Sequence, residues 1–414
     1  MNEYAVIWDW AMAAARWLHI VTAIAWIGSS FYFIALDLGL RKAANLPKGA
    51  AGEEWQVHGG GFYHIQKYLV APEAMPEHLT WFKWESYATW LSGAMLMALL
   101  YYGGADLFLM NREAWDVPSS VAILISIVSI AFAWALYEIL CKSKFGEDNT
   151  KLMLALYGIL VVIAWIYCQI FTGRAAFLHL GALTATIMSG NVFFTIIPNQ
   201  KIVVADLKAG RTPDPKYGKI AKQRSTHNNY LTLPVIFMML SNHYPMAFAT
   251  EFNWIIASLI FLMGVTIRHF FNTMHSRKGY VWWTWVATVG LFFLVIMFSL
   301  WGSKVPDSET EVSELPARVQ QFASNAHFDG AKQVINTRCV MCHNADPSYP
   351  GVRWTPKDVD LSNDAGILTH ARAVYLQSGR SHAMPPGNVT MMEDRERALI
   401  TAWFESAVSE GSVE

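Results

Sequence analysis

Long apolar stretches recur along the chain up to about residue 302, separated by shorter polar segments. Each stretch is about 20 residues long, the length that a helix needs to cross a bilayer core of about 30 Å. Aromatic residues such as Trp8, Trp81 and Trp282 lie near the ends of these stretches, as in the aromatic belts of membrane proteins. The pattern therefore predicts an all-α transmembrane bundle of eight helices, at residues 10–38, 81–103, 119–141, 152–172, 175–197, 228–245, 252–272 and 281–302.

The pattern changes after the eighth predicted span. Residues 303–317, SKVPDSETEVSELPA, are polar and acidic and contain two prolines, which is typical of a flexible linker. Further on, EDRERALITAWFESA has the spacing of a helix that packs Leu399, Trp403 and Phe404 on one face. We therefore predict a membrane domain over 1–302, a linker over 303–317 and a small domain over 318–414.

Composition and charge agree with a membrane protein that carries one soluble domain. Hydrophobic residues make up 54% of the 414 residues and charged residues 15%, whereas about 25% charged residues is usual in soluble proteins. The net charge of −1 conceals an acidic tail and a basic membrane part. We expect lipid as a partner of the membrane part and no nucleic acid.

Basic residues concentrate in the odd-numbered connections between the predicted spans. The second connection has only Arg112, the fourth only Arg174, and the sixth has none. Because positively charged loops stay on the cytoplasmic side, both termini and the tail are predicted outside the bacterial inner membrane, in the periplasm. The start MNEYAVIWDW has no basic n-region, so no cleavable signal peptide is expected.

Two of the predicted spans resemble each other. LHIVTAIAWIGSSFYFI begins at Leu18 and LHLGALTATIMSGNVFFT at Leu178, which aligns His19 with His179. Four spans followed by four would place both copies in the same orientation, as in parallel repeats. Chance similarity between apolar segments is the alternative.

The predicted tail domain contains NTRCVMCHNAD, residues 336–346. In a CxxCH motif, Cys339 and Cys342 form thioethers with haem and His343 ligates the iron. A zinc site would need a second Cys pair, but Cys141 and Cys168 lie far apart in apolar stretches. The motif therefore predicts a covalent haem c, which agrees with a tail on the outer side of the membrane.

The sixth iron ligand is predicted to be Met384 in SHAMPPGN. The two prolines after it stiffen the segment that presents the sulfur, and a thioether ligand raises the reduction potential. His382, Met391 and Met392 are the rival ligands. The tail as a whole resembles a small class I cytochrome c.

Histidines in and beside the predicted spans are the next candidates, because ionisable residues in a membrane are costly and mark functional sites. A carrier inside the bundle would help electrons to cross about 30 Å of hydrocarbon. A non-covalent haem b held between helices is therefore possible, and the alternative is that each histidine only hydrogen-bonds a neighbouring carbonyl or hydroxyl group. The candidate ligands are His19 and His179, at matching depths, and His243, His227 and His269.

The connection after the first span is rich in polar and aromatic residues: WQVHGGGFYHIQKYLVAPEAMPEHLTWFKWESY. Its three glycines would let the backbone approach a ligand closely. His58, His64, Lys67 and Lys83 supply donors and positive charge, which suits a planar anion. The alternative is an amphipathic segment at the membrane interface.

LHIVTAIAWIGSSFYFIALDL and VHGGGFYHIQKYLVAPEAMPEHLTWFKWESYATWLSG, followed by a cytochrome c tail, resemble the membrane-bound urate hydroxylases of bacterial purine catabolism. The resemblance covers nearly the whole chain, and HGGGFYHIQKY is its most specific part. It implies oxidation of urate by two electrons with addition of water, giving 5-hydroxyisourate. Electrons would pass to the haem and then to a downstream cytochrome or terminal oxidase of the respiratory chain, so no hydrogen peroxide would form.

Within this resemblance, His58 or His64 is the expected general base that removes a second proton from urate. Lys67 or Lys83 would stabilise the resulting dianion, and Glu85 would orient one of these residues. A different class remains open, a non-enzymatic membrane-anchored cytochrome that relays electrons from quinol or a partner protein to an oxidase. A polar glycine-rich connection and eight spans exceed what such an anchor needs.

Overall fold

The computed structural model divides the chain into two compact units, Met1–Ser303 and Lys304–Glu414. It describes residues 3–68, 76–105, 109–111, 115, 117–301, 312–350, 352 and 355–410. Arg112 and residues 303–311 of the predicted linker lie outside the described residues.

The first unit consists of helices and one β-hairpin in the part that the structure describes. The helix Trp84–Met97 continues into a π-helical turn, Ala98–Tyr102, and the helices Gly173–Gly190 and Ile197–Lys208 are joined by a π-helical segment, Asn191–Ile196. In chain order the elements are α1 (Glu3–Gly39), β1 (Ala50–His58), β2 (Gly61–Tyr68), α2 (Trp84–Met97), α3 (Ser119–Lys142), α4 (Asn149–Ile170), α5 (Gly173–Gly190), α6 (Ile197–Lys208), α7 (Pro215–Leu240), α8 (Asn253–His275) and α9 (Trp283–Trp301).

Six helices among the described residues are long and apolar enough to cross a membrane, namely Trp10–Gly39, Ser119–Lys142, Asn149–Ile170, Gly173–Lys208, Asn253–His275 and Trp283–Trp301. The other two predicted spans, 81–103 and 228–245, coincide with α2 and the second half of α7. Both are helical, but polar side chains occupy part of each. The structure thus supports a membrane protein with six such helices, and eight spans remain a prediction.

The outer faces of these helices are apolar. Phe132 on α3 and Val286, Phe293 and Leu300 on α9 are largely exposed. Soluble proteins rarely expose contiguous apolar surface of this kind. A lipid environment would cover it.

Close contact between α7 and α8 depends on one glycine. A Cβ added at Gly264 of α8 would lie 2.4 Å from Cδ of Pro234 in α7, which no real side chain tolerates. The proline is accommodated inside α7 because Gly264 leaves room for its ring. Nearby, Asn229 and Tyr230 of α7 form hydrogen bonds with Arg268 and His269 of α8.

The glycine-rich stretch forms a hairpin, because β1 and β2 are antiparallel and His58 pairs with Gly61. Gly59 and Gly60 form the two-residue turn, with φ of +60° and +79°. These angles match a type I′ turn, which favours glycine at both positions. A Cβ on either residue would meet nothing within 4 Å. The turn accounts for these two glycines, and close approach of a ligand to them stays a prediction.

The second unit is built from short helices and one long closing helix. Trp403 of the closing helix is fully buried, with ring centroids 5.7 Å from Phe328 and 5.9 Å from Phe322. Leu399 was expected on the same buried face, but it is 40% exposed because it lies at the edge of the contact, beside Gly330. The described helices are α10 (Ala317–Gln320), α11 (Phe328–Arg338), α12 (Asp364–Thr369), α13 (Ala371–Val374) and α14 (Asp394–Glu410).

Candidate functional site

The CxxCH segment begins where α11 ends. Cys339 caps the helix through its N–H, which donates to the carbonyl of Ile335 at 2.8 Å, and the N–H of His343 donates to the carbonyl of Cys339 at 2.9 Å. One tight turn therefore carries all three residues. Cys339 and Cys342 are free thiols, and burial raises the pKa of Cys339 to about 12.

The ring of His343 is oriented for a metal. Its Nδ1 lies 2.9 Å from the carbonyl oxygen of Val359. Because a carbonyl oxygen only accepts, Nδ1 carries the proton and Nε2 keeps its lone pair. Metal-ligating histidines are commonly held in this way by a second hydrogen bond. Two free thiols and this imidazole fit the donor set of a covalent haem.

The segment that contains Met384 is anchored by a buried arginine. Arg397 of α14 is 4% exposed and donates to the carbonyls of Ser378 at 2.7 Å, Met384 at 2.9 Å and Ser381 at 3.4 Å. The N–H of Met384 also donates to the carbonyl of Gln377 at 2.8 Å. The backbone at Met384 is therefore fixed from two sides.

The rival sixth ligands lie elsewhere. Met391 is 75% exposed, Met392 is buried in the hydrophobic core of the second unit, and His382 is exposed. Met384 is half-buried and lies on the anchored segment. Of the four candidates, its surroundings fit a ligand best.

The two histidines of the apparent repeat have separate protein partners. In the buried ring of His179, Nδ1 lies 2.7 Å from the carbonyl oxygen of Ala175 and Nε2 lies 2.7 Å from Oγ of Ser126. Both ring nitrogens are thus occupied, which does not fit an axial ligand. His19 is bonded instead to α2, with Nδ1 3.0 Å from Oγ of Ser92. No hydrogen bond or ring contact joins the two histidines within the described residues.

The remaining candidate haem b ligands are dispersed. His243 is exposed in a short 3₁₀ turn. His269 Nδ1 lies 3.1 Å from the hydroxyl of Tyr230, and His227 Nδ1 lies 2.8 Å from the hydroxyl of Tyr137. Within the described residues there is no group of three or more His, Cys, Asp and Glu side chains placed to hold a metal ion.

Of the three predicted catalytic residues in the hairpin, two have protein partners and the third is exposed. His64 Nε2 lies 2.7 Å from a carboxylate oxygen of Glu53 on the opposite strand. Lys67 forms an ion pair with Asp37 of α1. His58 is exposed beside the turn.

Lys83 and Glu85 lie at the beginning of α2. The ammonium group of Lys83 is 5.5 Å from the ring centroid of Trp84, and Glu85 lies in the first turn of the helix. Glu85 was expected to orient Lys67 or Lys83, but in the described part of the chain it forms an ion pair with neither. Within the described residues, no hydrogen bond or ion pair joins the five predicted catalytic residues to one another, and His64 and Lys67 are bound instead to Glu53 and Asp37.

Two buried polar clusters between the helices were not predicted as clusters, and of their members only His227 was a predicted site residue, as a candidate haem b ligand. The first, the Arg224 cluster, comprises Tyr137, Glu138, Asn191, Arg224, His227 and Asn228. Arg224 is 3% exposed and pairs with Glu138 at 2.8 Å. Asn191, the first residue of the π-helical segment, donates to the hydroxyl of Tyr137 at 3.0 Å and to Oδ1 of Asn228 at 2.9 Å. Nε2 of His227 is buried without a hydrogen-bond partner. π-Helical segments are frequent at functional sites.

The second, the Arg268 cluster, comprises Phe31, Asn229, Arg268 and Asn272. Its guanidinium group lies 4.0 Å from the ring centroid of Phe31 and donates to the side-chain oxygens of Asn229 and Asn272. Nδ2 of Asn229 is buried without a partner. The cluster joins α1, α7 and α8, which pack against one another.

Comparison with known proteins identifies a family. Residues 5–299 match the family model described as urate oxidase N-terminal. No curated protein and no solved structure matches the chain. The matched region contains both buried polar clusters and ends before the CxxCH motif.

Proposed function

The chain belongs to the urate oxidase N-terminal family, and on this premise we propose that it oxidises urate to 5-hydroxyisourate and delivers the electrons to a haem c on its own tail. The balanced half-reaction takes urate and one water and gives 5-hydroxyisourate, two protons and two electrons. The proposal places the protein in the bacterial inner membrane, with both termini and the tail in the periplasm. A downstream cytochrome or terminal oxidase then accepts the electrons, and no hydrogen peroxide forms.

One observation carries this proposal: the urate oxidase region, 5–299, and a segment suited to haem c belong to one chain. The second unit supplies two free thiols, an imidazole oriented by Val359 and a half-buried methionine on an anchored segment. When bound, haem c supplies a one-electron acceptor, and a thioether ligand makes its potential higher.

The two protons that the reaction releases require acceptors, and the Arg224 cluster provides one. His227 is buried, its Nδ1 is bonded to the hydroxyl of Tyr137, and its Nε2 has no partner. In this proposal Nε2 of His227 accepts one of the two protons that the oxidation releases. The proposal assigns this role to His227 rather than to His64, because His64 is exposed on the hairpin and His227 is buried.

The decisive experiment uses the purified, oxidised full-length protein without dioxygen. Adding urate should reduce the c-type haem, visible in its absorption bands, and should yield 5-hydroxyisourate at one molecule for every two electrons. Reduction by a quinol but not by urate would instead support a non-enzymatic electron relay. Stoichiometric peroxide in air would show that dioxygen is the direct oxidant and would refute the proposal.

The role of His227 is tested by a matched pair of substitutions. His227→Gln should lower kcat by at least about 100-fold, the usual contribution of a general base, whereas His64→Gln should leave kcat unchanged. Reduction of the haem by ascorbate should be equal in both variants. Equal kcat values for the two variants would remove His227 from the proposal.

A further inference from the structure

The buried guanidinium group of Arg268 has no carboxylate partner within the described residues. Arg268 is 4% exposed, and its hydrogen bonds go to the neutral amides of Asn229 and Asn272. Arg224, equally buried in the neighbouring cluster, is neutralised by Glu138. Burying a charge without a counter-ion is strongly unfavourable, and in membrane proteins it indicates a functional site. Of the two buried arginines, Arg268 is therefore the one whose charge a bound anion could neutralise.

The two amides hold the guanidinium in a single orientation. Nε donates to Oδ1 of Asn229 at 3.3 Å, and Nη2 donates to Oδ1 of Asn272 at 2.9 Å. Nδ2 of Asn272 also donates to Oδ1 of Asn229 at 2.9 Å, so the amides are fixed to each other. Phe31 covers one face of the guanidinium plane, at 4.0 Å from its ring centroid. The group is therefore preorganised before any ligand arrives.

The donors that remain match a planar anion. A guanidinium has five N–H donors in a flat fork, and the amides occupy the edge formed by Nε and Nη2. The edge formed by Nη1 and the second hydrogen of Nη2 makes no hydrogen bond within the described residues, and it is suited to two parallel bonds with an anionic O–C–N or O–C–O group. Nδ2 of Asn229, buried and unpaired, adds a third donor direction.

We propose that Arg268, Asn229, Asn272 and Phe31 form the binding site for a planar, monoanionic heterocycle, the chemical class of the urate anion. This inference rests on the proposed function and assigns its substrate to the α1–α7–α8 contact. The role of Arg268 is to bind the anion through its free edge, and the role of the two amides is to orient that edge.

The test is an isosteric change of charge. Asn229→Asp keeps the size of the side chain and the oxygen that binds Arg268, but it supplies an internal counter-ion. The site loses its need for an external anion, while the new pair with Arg268 preserves folding. Asn253→Asp is the matched control, because it adds the same charge to α8 at its opposite end.

Affinity is measured by equilibrium dialysis of labelled urate against the full-length protein reduced beforehand with ascorbate, so that no turnover occurs. Asn229→Asp should weaken urate binding by about 30-fold or more, as expected when a buried charge contact is lost. Arg268→Lys keeps the charge but not the fork, so it should weaken binding as well. Asn253→Asp should bind urate as the unmodified protein does.

The remaining outcomes would overturn either the assigned urate site or the proposed function. Unchanged urate affinity in both Asn229→Asp and Arg268→Lys, in a chain that still oxidises urate, would overturn the assigned site alone. A second outcome is that Asn229→Asp loses co-purified anionic phospholipid while its urate affinity is unchanged. This result would assign Arg268 to a lipid headgroup and would also overturn the assigned urate site. Failure of the unmodified protein to be reduced by urate would overturn the proposed function itself.

Discussion

Replacing Arg397 with methionine is expected to release the segment that presents Met384. The side chain is buried, and two short hydrogen bonds, at 2.7 and 2.9 Å, join it to the carbonyls of Ser378 and Met384. Methionine fills similar space but donates nothing, so both carbonyls lose a charged donor. Arg395→Met is the matched control. Arg395 lies two residues from Arg397, carries the same charge, and has a side chain that is 80% exposed.

The size of the effect follows from these two bonds. A hydrogen bond to a charged group contributes about 1.5–3 kcal/mol, so two contribute about 3–6 kcal/mol before compensation. Water can replace part of the lost bonding, and the two bonds are not additive because they share one side chain. A net loss of about 2–4 kcal/mol is expected, which makes opening of the segment about 30- to 1,000-fold more favourable.

Imidazole titration of the ferric protein measures this opening, because in the proposed haem c site added imidazole would compete with Met384 for the iron. The apparent affinity for imidazole should rise by about the same factor in Arg397→Met. The absorption band of methionine-ligated ferric haem should weaken, and Arg397→Lys should restore part of it. If Arg397→Met and Arg395→Met bind imidazole equally and keep the band equally, Arg397 does not position the ligand.

Three further substitutions test other parts of the structure. Gly264→Ala should destabilise the first unit by about 1–3 kcal/mol, because its Cβ would meet the Pro234 ring. The measurement is the unfolding temperature in detergent, which should fall. Gly158→Ala is the control, because a Cβ at Gly158 meets nothing within 4 Å and should leave this temperature unchanged. Gly60→Ala should cost about 1–2 kcal/mol at a φ of +79° and speed hydrogen exchange in the hairpin, while the KM for urate stays unchanged; a large change in KM would place substrate at the hairpin. Met384→Ala should lower the reduction potential of the haem, and an unchanged potential would exclude this residue as the sixth ligand.

The prediction of a haem c segment rests on local chemistry. Thioether formation and iron ligation need Cys339, Cys342 and His343 within five consecutive residues, so the motif can be recognised without knowledge of the fold. Arg397 was missed, although it precedes Ile400 by three and Trp403 by six residues, which places it on the buried face of α14. The signal that could have identified Arg397 was an arginine at a helix position that the spacing of apolar residues assigns to the core.

The hairpin was missed for a different reason. GEEWQVH and GFYHIQKY alternate between the two faces of a strand and are separated by two glycines, which is a strong hairpin signal. The long polar connection suggested an irregular ligand-binding loop instead. The structure gives His64 and Lys67 the partners Glu53 and Asp37, and a catalytic role for the hairpin stays a prediction.

The amino-acid sequence by itself determined the helical membrane part, the separate tail and the haem motif, because apolar length and contiguous spacing are properties of short segments. Only the tertiary structure decided which polar side chains meet. Arg268 and Asn229 are 39 residues apart, and Arg224 and Glu138 are 86 apart. An isolated arginine or asparagine in a helix does not reveal whether its neighbour on another helix is a carboxylate or an amide. That difference leaves one buried guanidinium neutralised and the other open to an anion.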